Sequence, residues 1–303
     1  MTATDSNPVL HDHVVLGYDG SRHAERALEF AVGEAVRRGT VLQLLCGVPW
    51  PPPATAGLGL SPAEQSARER LTRELLEEAA EHARKLAGGE LDVFTTVTRT
   101  PAAEALVQQG RTAALTVVGT RGHGGFAGLL LGSVSQRVAA HTEVPLAVVR
   151  GDAETAGDAH GTVLVGVRSN TETAGVRYGF QEAAGRGARL LVLHAWSYPP
   201  LTATLTTPDS PRRREEIGEV RKAAEAVPRY AVAAVREEFP HVQVSTDHEC
   251  RSAPAALVER TRSADAVVLT VHRRAHPLGR RLGPVTHGVL HHAHCPVILV
   301  PAG

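Results

Sequence analysis

Lysine is nearly absent: only Lys85 and Lys222 occur among 32 basic residues, and neither follows a glycine. A Walker-type phosphate loop needs G-x4-G-K-[ST], so that route to a nucleotide is closed. A net charge is missing as well, with 32 basic against 32 acidic residues. Without a global field of one sign, nucleic acid and anionic membranes are not the expected partners. The three cysteines, Cys46, Cys250 and Cys295, have neither disulfide nor zinc spacing, which points to a reducing compartment. No apolar run approaches membrane-spanning length, and the opening MTATDSNPVLHDH lacks the basic-then-apolar order of a signal peptide. A soluble, cytoplasmic protein is expected. Aromatics make up only 4%, while alanine and valine abound, as suits helices packed on parallel strands.

The chain does contain a duplication. HVVLGYDGS from His13 matches TVLVGVRSN from Thr162, VLQLLCGV from Val41 matches RLLVLHAW from Arg189, and VPLAVVR from Val144 matches CPVILVP from Cys295. The three spacings are nearly equal, which means two copies of one unit. Residues 1–152 and 153–303 are the expected domains, joined through the polar stretch Gly151 to Gly161.

Within each copy, strands alternate with helical patterns. In the first, strands are expected over Val14–Asp19, Val41–Val48, Leu91–Thr98, Leu115–Val118 and Leu146–Val149. Helices are expected over Arg22–Arg38, from Ser61-Pro62 toward Ala87, over Pro101–Gln109, and from Gly132-Ser133 onward. Such alternation implies α/β architecture: two tandem doubly wound domains, each a five-stranded parallel sheet with right-handed crossovers, Rossmann-like. Ligands on these sheets sit outside the carboxyl ends of the strands, where the strand order reverses. Asp19, Gly47 and Gly119 all fall at such ends.

The most informative stretch is TVVGTRGHGGFAGLLLGSVSQRVAAHTEVPLAVV, from Thr116 to Val149. Its order is strand, glycine loop, helix, strand. Glycines let the backbone approach a ligand closely, and the unpaired N–H groups at a helix start point at whatever binds there, so a phosphate suits the place. Gly122, Gly124 and Ala127 formally fit the dinucleotide fingerprint G-x-G-x-x-[GA], but that motif should follow the first strand and open a helix at once. The bland alternative is a tight loop with Ser133 as an ordinary N-cap. Asp19 has its own alternative, an Asp-Gly turn whose side chain caps the next helix.

The spacing Gly119, two residues, Gly122, nine residues, Gly132-Ser133, together with VVLGYDGS ending the first strand, resembles the nucleotide-binding class of the universal stress proteins. The resemblance implies domains of the adenine nucleotide alpha hydrolase-like type that bind ATP. Magnesium would be an optional companion that the sequence does not display. The implied contacts are Gly17, Tyr18, Asp19, Gly47, Gly119, Thr120, Arg121, Gly122, Gly132, Ser133 and Val134. Asp19 is implied on the adenine or ribose side, and the Gly47 backbone facing adenine. The family usually has histidine before that glycine, and here Cys46 stands there. Known members pair through their last strands, which implies domain-domain pairing through Pro145–Arg150 and Pro296–Pro301, with a homodimer as a further option. The implied function is a nucleotide-responsive stress regulator. A slow ATP hydrolase or phosphotransferase, or a non-binding dimerisation scaffold, is the alternative. Catalysis has little to stand on, since no G-x-S-x-G elbow occurs and no paired carboxylates flank the glycine loop, so no catalytic residue is assigned.

In the second copy these positions have decayed. Asp19 becomes Arg168, Gly119 becomes Thr270, Gly122 becomes Arg273, and Gly132-Ser133 becomes Gly283-Pro284. Proline offers no N–H and arginine does not permit close backbone approach, so nucleotide binding is expected in the first copy alone. Arg273, Arg274, Arg280 and Arg281 could meet an acidic partner, though a solvated basic loop is the plainer reading. His287 and His291 share a helix face and could hold a metal, but without the carboxylate of H-E-x-x-H, surface histidines are favoured and no metal is expected.

Overall fold

A computed structural model describes residues 11–48, 61–122, 131–150, 159–197, 211–272 and 282–302. The proline-rich stretch after Val48, the middle of the glycine loop (123–130), the joining stretch 151–158 and the arginine-bearing stretch 273–281 lie outside the described residues. The chain divides into two compact units, Met1–Gly151 and Asp152–Gly303.

The first unit runs β1 (His13–Gly17), α1 (Arg22–Arg38), β2 (Leu42–Gly47), α2 (Pro62–Leu86), β3 (Val93–Thr98), α3 (Ala102–Gly110), β4 (Ala113–Gly119), α4 (Ser133–His141) and β5 (Leu146–Val149). Helix α1 starts where the Ser21 hydroxyl accepts the Ala24 N–H at 3.3 Å, and ends at Gly39, whose φ of 61° favours glycine. Ala24, Ala27, Leu28, Ala31, Val32 and Ala35 form its buried stripe. Helix α2 opens on a capping box between Ser61 and Glu64, with Pro62 in its first turn, and buries Leu76, Ala79, Ala80 and Ala83. In β1, Val14, Val15 and Leu16 are all fully buried, as a central parallel strand covered on both faces requires.

The strand order is β3-β2-β1-β4-β5, and every neighbouring pair is parallel. The chain works outward from β1 to β3, returns to β4, then works outward again to β5. Crossovers of one hand therefore put α1 and α2 on one face and α3 and α4 on the other. The order reverses between β1 and β4, where Gly17 pairs with Val118. β1 stops at Gly17 rather than running to Asp19, because the chain turns through Gly20 at φ 76°.

The second unit repeats the plan: β6 (Thr162–Gly166), α5 (Thr173–Arg186), β7 (Arg189–Trp196), α6 (Pro211–Ala233), β8 (Val244–Cys250), α7 (Ala253–Arg260), β9 (Ala266–Val271), α8 (Pro284–His292) and β10 (Val297–Pro301). Its parallel order is β10-β9-β6-β7-β8. The duplication extends to details that the sequence comparison did not use. Gly187 ends α5 in the left-handed region as Gly39 ends α1. Buried Glu34 pairs with Arg37 and Arg38, and buried Glu182 pairs with Arg186.

Candidate functional site

A cavity of about 600 Å³ opens at the reversal point of the first unit. That volume lies within the roughly 300–1,000 Å³ usual for small-molecule sites. Its walls are the carboxyl ends of β1, β2 and β4, the start of α3, and the start of α4. Ten of the eleven residues expected from the sequence line it: Gly17, Tyr18, Asp19, Gly47, Gly119, Arg121, Gly122, Gly132, Ser133 and Val134. Thr120 does not. It is 2% exposed, and it holds the wall from behind. Its N–H reaches the Val149 carbonyl at 2.9 Å, its hydroxyl meets His23 Nδ1 at 3.1 Å, and its carbonyl accepts the Gly132 N–H at 2.6 Å. That last bond fastens the two ends of the glycine loop to each other.

Helix α4 presents its start to this cavity in an unusual state. Its N-cap is Gly132, not Ser133, and the cap makes no side-chain hydrogen bond. The Gly132 N–H is taken by Thr120, and the first intrahelical bond runs from the Gln136 N–H to the Gly132 carbonyl. Helix geometry leaves the N–H groups of Ser133, Val134 and Ser135 without intrahelical acceptors. Ser133 is exposed and Val134 is 37% exposed, so the helix start is open to a ligand. The positive end of the helix dipole lies there too, and an anion suits it. Ser135 was not foreseen. Its buried hydroxyl donates to the Gly119 carbonyl at 2.6 Å and clamps α4 against the end of β4.

Opposite stands Asp19. Its Oδ1 accepts the Ser21 N–H at 3.1 Å, which closes the turn, while Ser21 itself caps α1. The side chain therefore holds the turn and does not serve as the helix cap. Its Oδ2 packs on Gly122, where an added Cβ would overlap it. Gly119 and Gly47 are glycines for a related reason. A Cβ on Gly119 would come to 2.8 Å from the His23 carbonyl oxygen, and one on Gly47 to 2.8 Å from the Ala102 nitrogen.

Ala24, Leu45, Ala102, Leu106 and Val118 supply the apolar part of the lining. Sequence reading missed them because they come from four elements that only the fold brings together. Cys46 and Tyr18 complete the wall. Burial, aided by the negative charge of Asp19, pushes the Cys46 thiol up to about 11. Burial and a hydrogen bond to Glu25 likewise raise Tyr18, whose hydroxyl donates to Glu25 Oε1. Both groups keep their protons at neutral pH.

Residues 11–150 and 160–301 each match the model described as Universal stress protein family. The chain belongs to the universal stress protein family. Universal stress protein Rv2005c of Mycobacterium tuberculosis is 31% identical over 306 residues, covering 97% of this chain and 98% of that protein. The crystal structure of a universal stress protein from Archaeoglobus fulgidus matches with a TM-score of 0.64 at 18% identity, covering 97% of each chain, a likeness of fold. A shorter universal stress protein from Archaeoglobus fulgidus, solved in complex with dAMP, is 19% identical and matches 46% of this chain and 98% of its own at a TM-score of 0.33.

In this family member the second unit differs at the corresponding place. The spacing that relates Glu34 to Glu182 carries Ala24, which lines the first cavity, onto Glu172. Glu172 is 6% exposed; its Oε2 accepts the Arg168 N–H at 2.7 Å, and its Oε1 lies 2.7 Å from His272 Nε2. Arg168 and His272 are the counterparts of Asp19 and Arg121. Three lining positions of the first unit have thus become a bonded cluster in the second. Pro284 opens α8 without an N–H to offer, and the Thr270 side chain packs on Gly175. Of the described residues, no helix is long and apolar enough to cross a membrane.

Proposed function

We propose that this universal stress protein binds one adenine nucleotide, ATP, in its first unit and responds to it as a stress regulator. The observation that carries the reading is the start of α4: three N–H donors without intrahelical acceptors and no capping side chain, facing a cavity of about 600 Å³. In the proposed pose the phosphates lie against Ser133, Val134 and Ser135 N–H groups, where donors and helix dipole act together. The Ser133 hydroxyl adds a further donor. The base and ribose lie toward Asp19 and the Gly47 backbone, over the apolar wall of Leu45 and Leu106. Arg121 contributes positive charge beside the phosphates.

Magnesium would arrive with the phosphates. Among the described lining residues Asp19 is the only carboxylate, and one of its oxygens holds the turn. The protonated state of Cys46 and Tyr18 supports binding without turnover, because neither is activated as a nucleophile or base. A regulator needs a ligand that favours one conformation by differential affinity. The α1–α2 side of the site offers such a link, since Leu75 of α2 packs over Gly20 in the Asp19 turn. Calorimetry of the full chain with ATP and AMP tests the reading, with one binding event expected per chain. Heats no larger than dilution for both ligands, in protein stripped of any bound nucleotide, would remove it.

A further inference from the structure

Helix α8 carries a pair of histidines that the nucleotide site does not use. His287 and His291 lie one turn apart, on a stripe beside the buried Thr286, Val289 and Leu290. His287 is exposed and His291 half-buried. Their ring centroids are 4.1 Å apart with the planes tilted by 46°. We propose that this pair is a chelating site for a divalent transition cation that favours imidazole, of the zinc or copper class. Two imidazoles sharing one ion at about 2.0–2.1 Å have centroids roughly 4.5–5 Å apart. The observed pair therefore needs to open by less than about an ångström, a movement that exposed His287 can supply.

A second feature favours a cation here. His291 lies in the last turn of α8, where the helix carbonyls present the negative end of the dipole. His292 follows it, but its centroid is 6.3 Å from that of His291 and it projects from a different face. Among the described residues no group of three or more histidine, cysteine or acidic side chains is arranged to hold a metal. Among the described residues no third side chain completes the set, so the pair is taken with water in the remaining positions.

The test titrates untagged full-length protein with zinc chloride alone by calorimetry, and with copper(II) alone by paramagnetic resonance, which counts imidazole nitrogens. His287→Ala and His291→Ala are each expected to weaken the same zinc event on the order of 100-fold, because a chelate becomes a single ligand. Copper in the parent should show two bound imidazoles and in either variant fewer. His292→Ala should leave both readouts unchanged. The exposed position of His287 keeps that variant folded, and thermal midpoints without metal check it. No zinc event in the parent, an event that survives His287→Ala, or one lost with His292→Ala would each overturn the assignment.

Discussion

Gly122→Ala adds one methyl group where two walls of the site touch. The new Cβ would overlap Asp19 Oδ2, well inside the 3.0 Å that real Cβ contacts observe. Gly122 is not among the described glycines with left-handed φ, so the methyl group itself is the perturbation. Asp19 must move Oδ2 aside, which disturbs the 3.1 Å bond that its Oδ1 accepts from the Ser21 N–H and at most breaks it. A hydrogen bond to a charged group is worth about 1.5–3 kcal/mol, so the midpoint of the first unit should fall by no more than roughly 3–10 °C. The displaced carboxylate is also lost to the nucleotide, and a bond of the same size corresponds to roughly a 10- to 150-fold weaker Kd. Calorimetry with ATP measures the second effect and scanning calorimetry the first. The decisive comparison is a double-mutant cycle. In an Asp19→Ala background the methyl group meets no carboxylate, so Gly122→Ala should add little to either cost. Wild-type affinity in Gly122→Ala, or costs that simply add, would refute the contact as the reason for the glycine.

Gly132→Asp places a capping carboxylate at the start of α4, where the Cβ needs only slight adjustment against the Thr120 carbonyl oxygen at 3.3 Å. Apo stability should rise by a few tenths of a kcal/mol while ATP affinity collapses, and affinity and stability falling together would argue against an open helix start. Asp19→Ala should weaken ATP and AMP by a similar factor; an effect confined to ATP would move Asp19 to the phosphate side. Burial holds the His13 imidazole below its ordinary 6.5, against the raising effect of its bond to Gln43. As pH falls, the unfolded chain takes up this proton first. The stability is intact above 6.5 and is lost as pH drops toward the folded value, by up to about 1.4 kcal/mol per pH unit. Urea unfolding at pH 7.5 and 5.5 should therefore show a smaller acid loss in His13→Gln than in the parent, and an equal loss would count against the buried ring as its source.

The fold was legible because its signals are local and repeated. Apolar runs bounded by turn residues set the strands, and Ser61-Pro62 marks the start of α2 by its own chemistry. The ends of β1, β3 and β4 were less legible, since a strand stops where its neighbour or a turn releases it. Most of the site's polar rim was legible too, through the glycine spacing. What stayed hidden depends on partners far along the chain. Thr120 looks like a lining residue in sequence, yet its carbonyl and hydroxyl are spent on Gly132 and His23. Ser135 looks like any helix serine until the Gly119 carbonyl is found beneath it. Gly47 reads as a ligand contact, and the structure adds a packing reason in the start of α3. Glu172 carried no signal at all, because its meaning lies in replacing Ala24 of the other copy.

The central claim is that one adenine nucleotide binds in the first unit and none in the second. Full-length protein and its Gly132→Asp variant, purified alike without added nucleotide, can be denatured and the released small molecules identified and counted by mass spectrometry, with the emptied protein then titrated with ATP. The account predicts an adenine nucleotide on the parent, filled by titration to one per chain, and almost none on the variant. Two nucleotides per chain, equal occupancy in the variant, or no binding by the parent would contradict it.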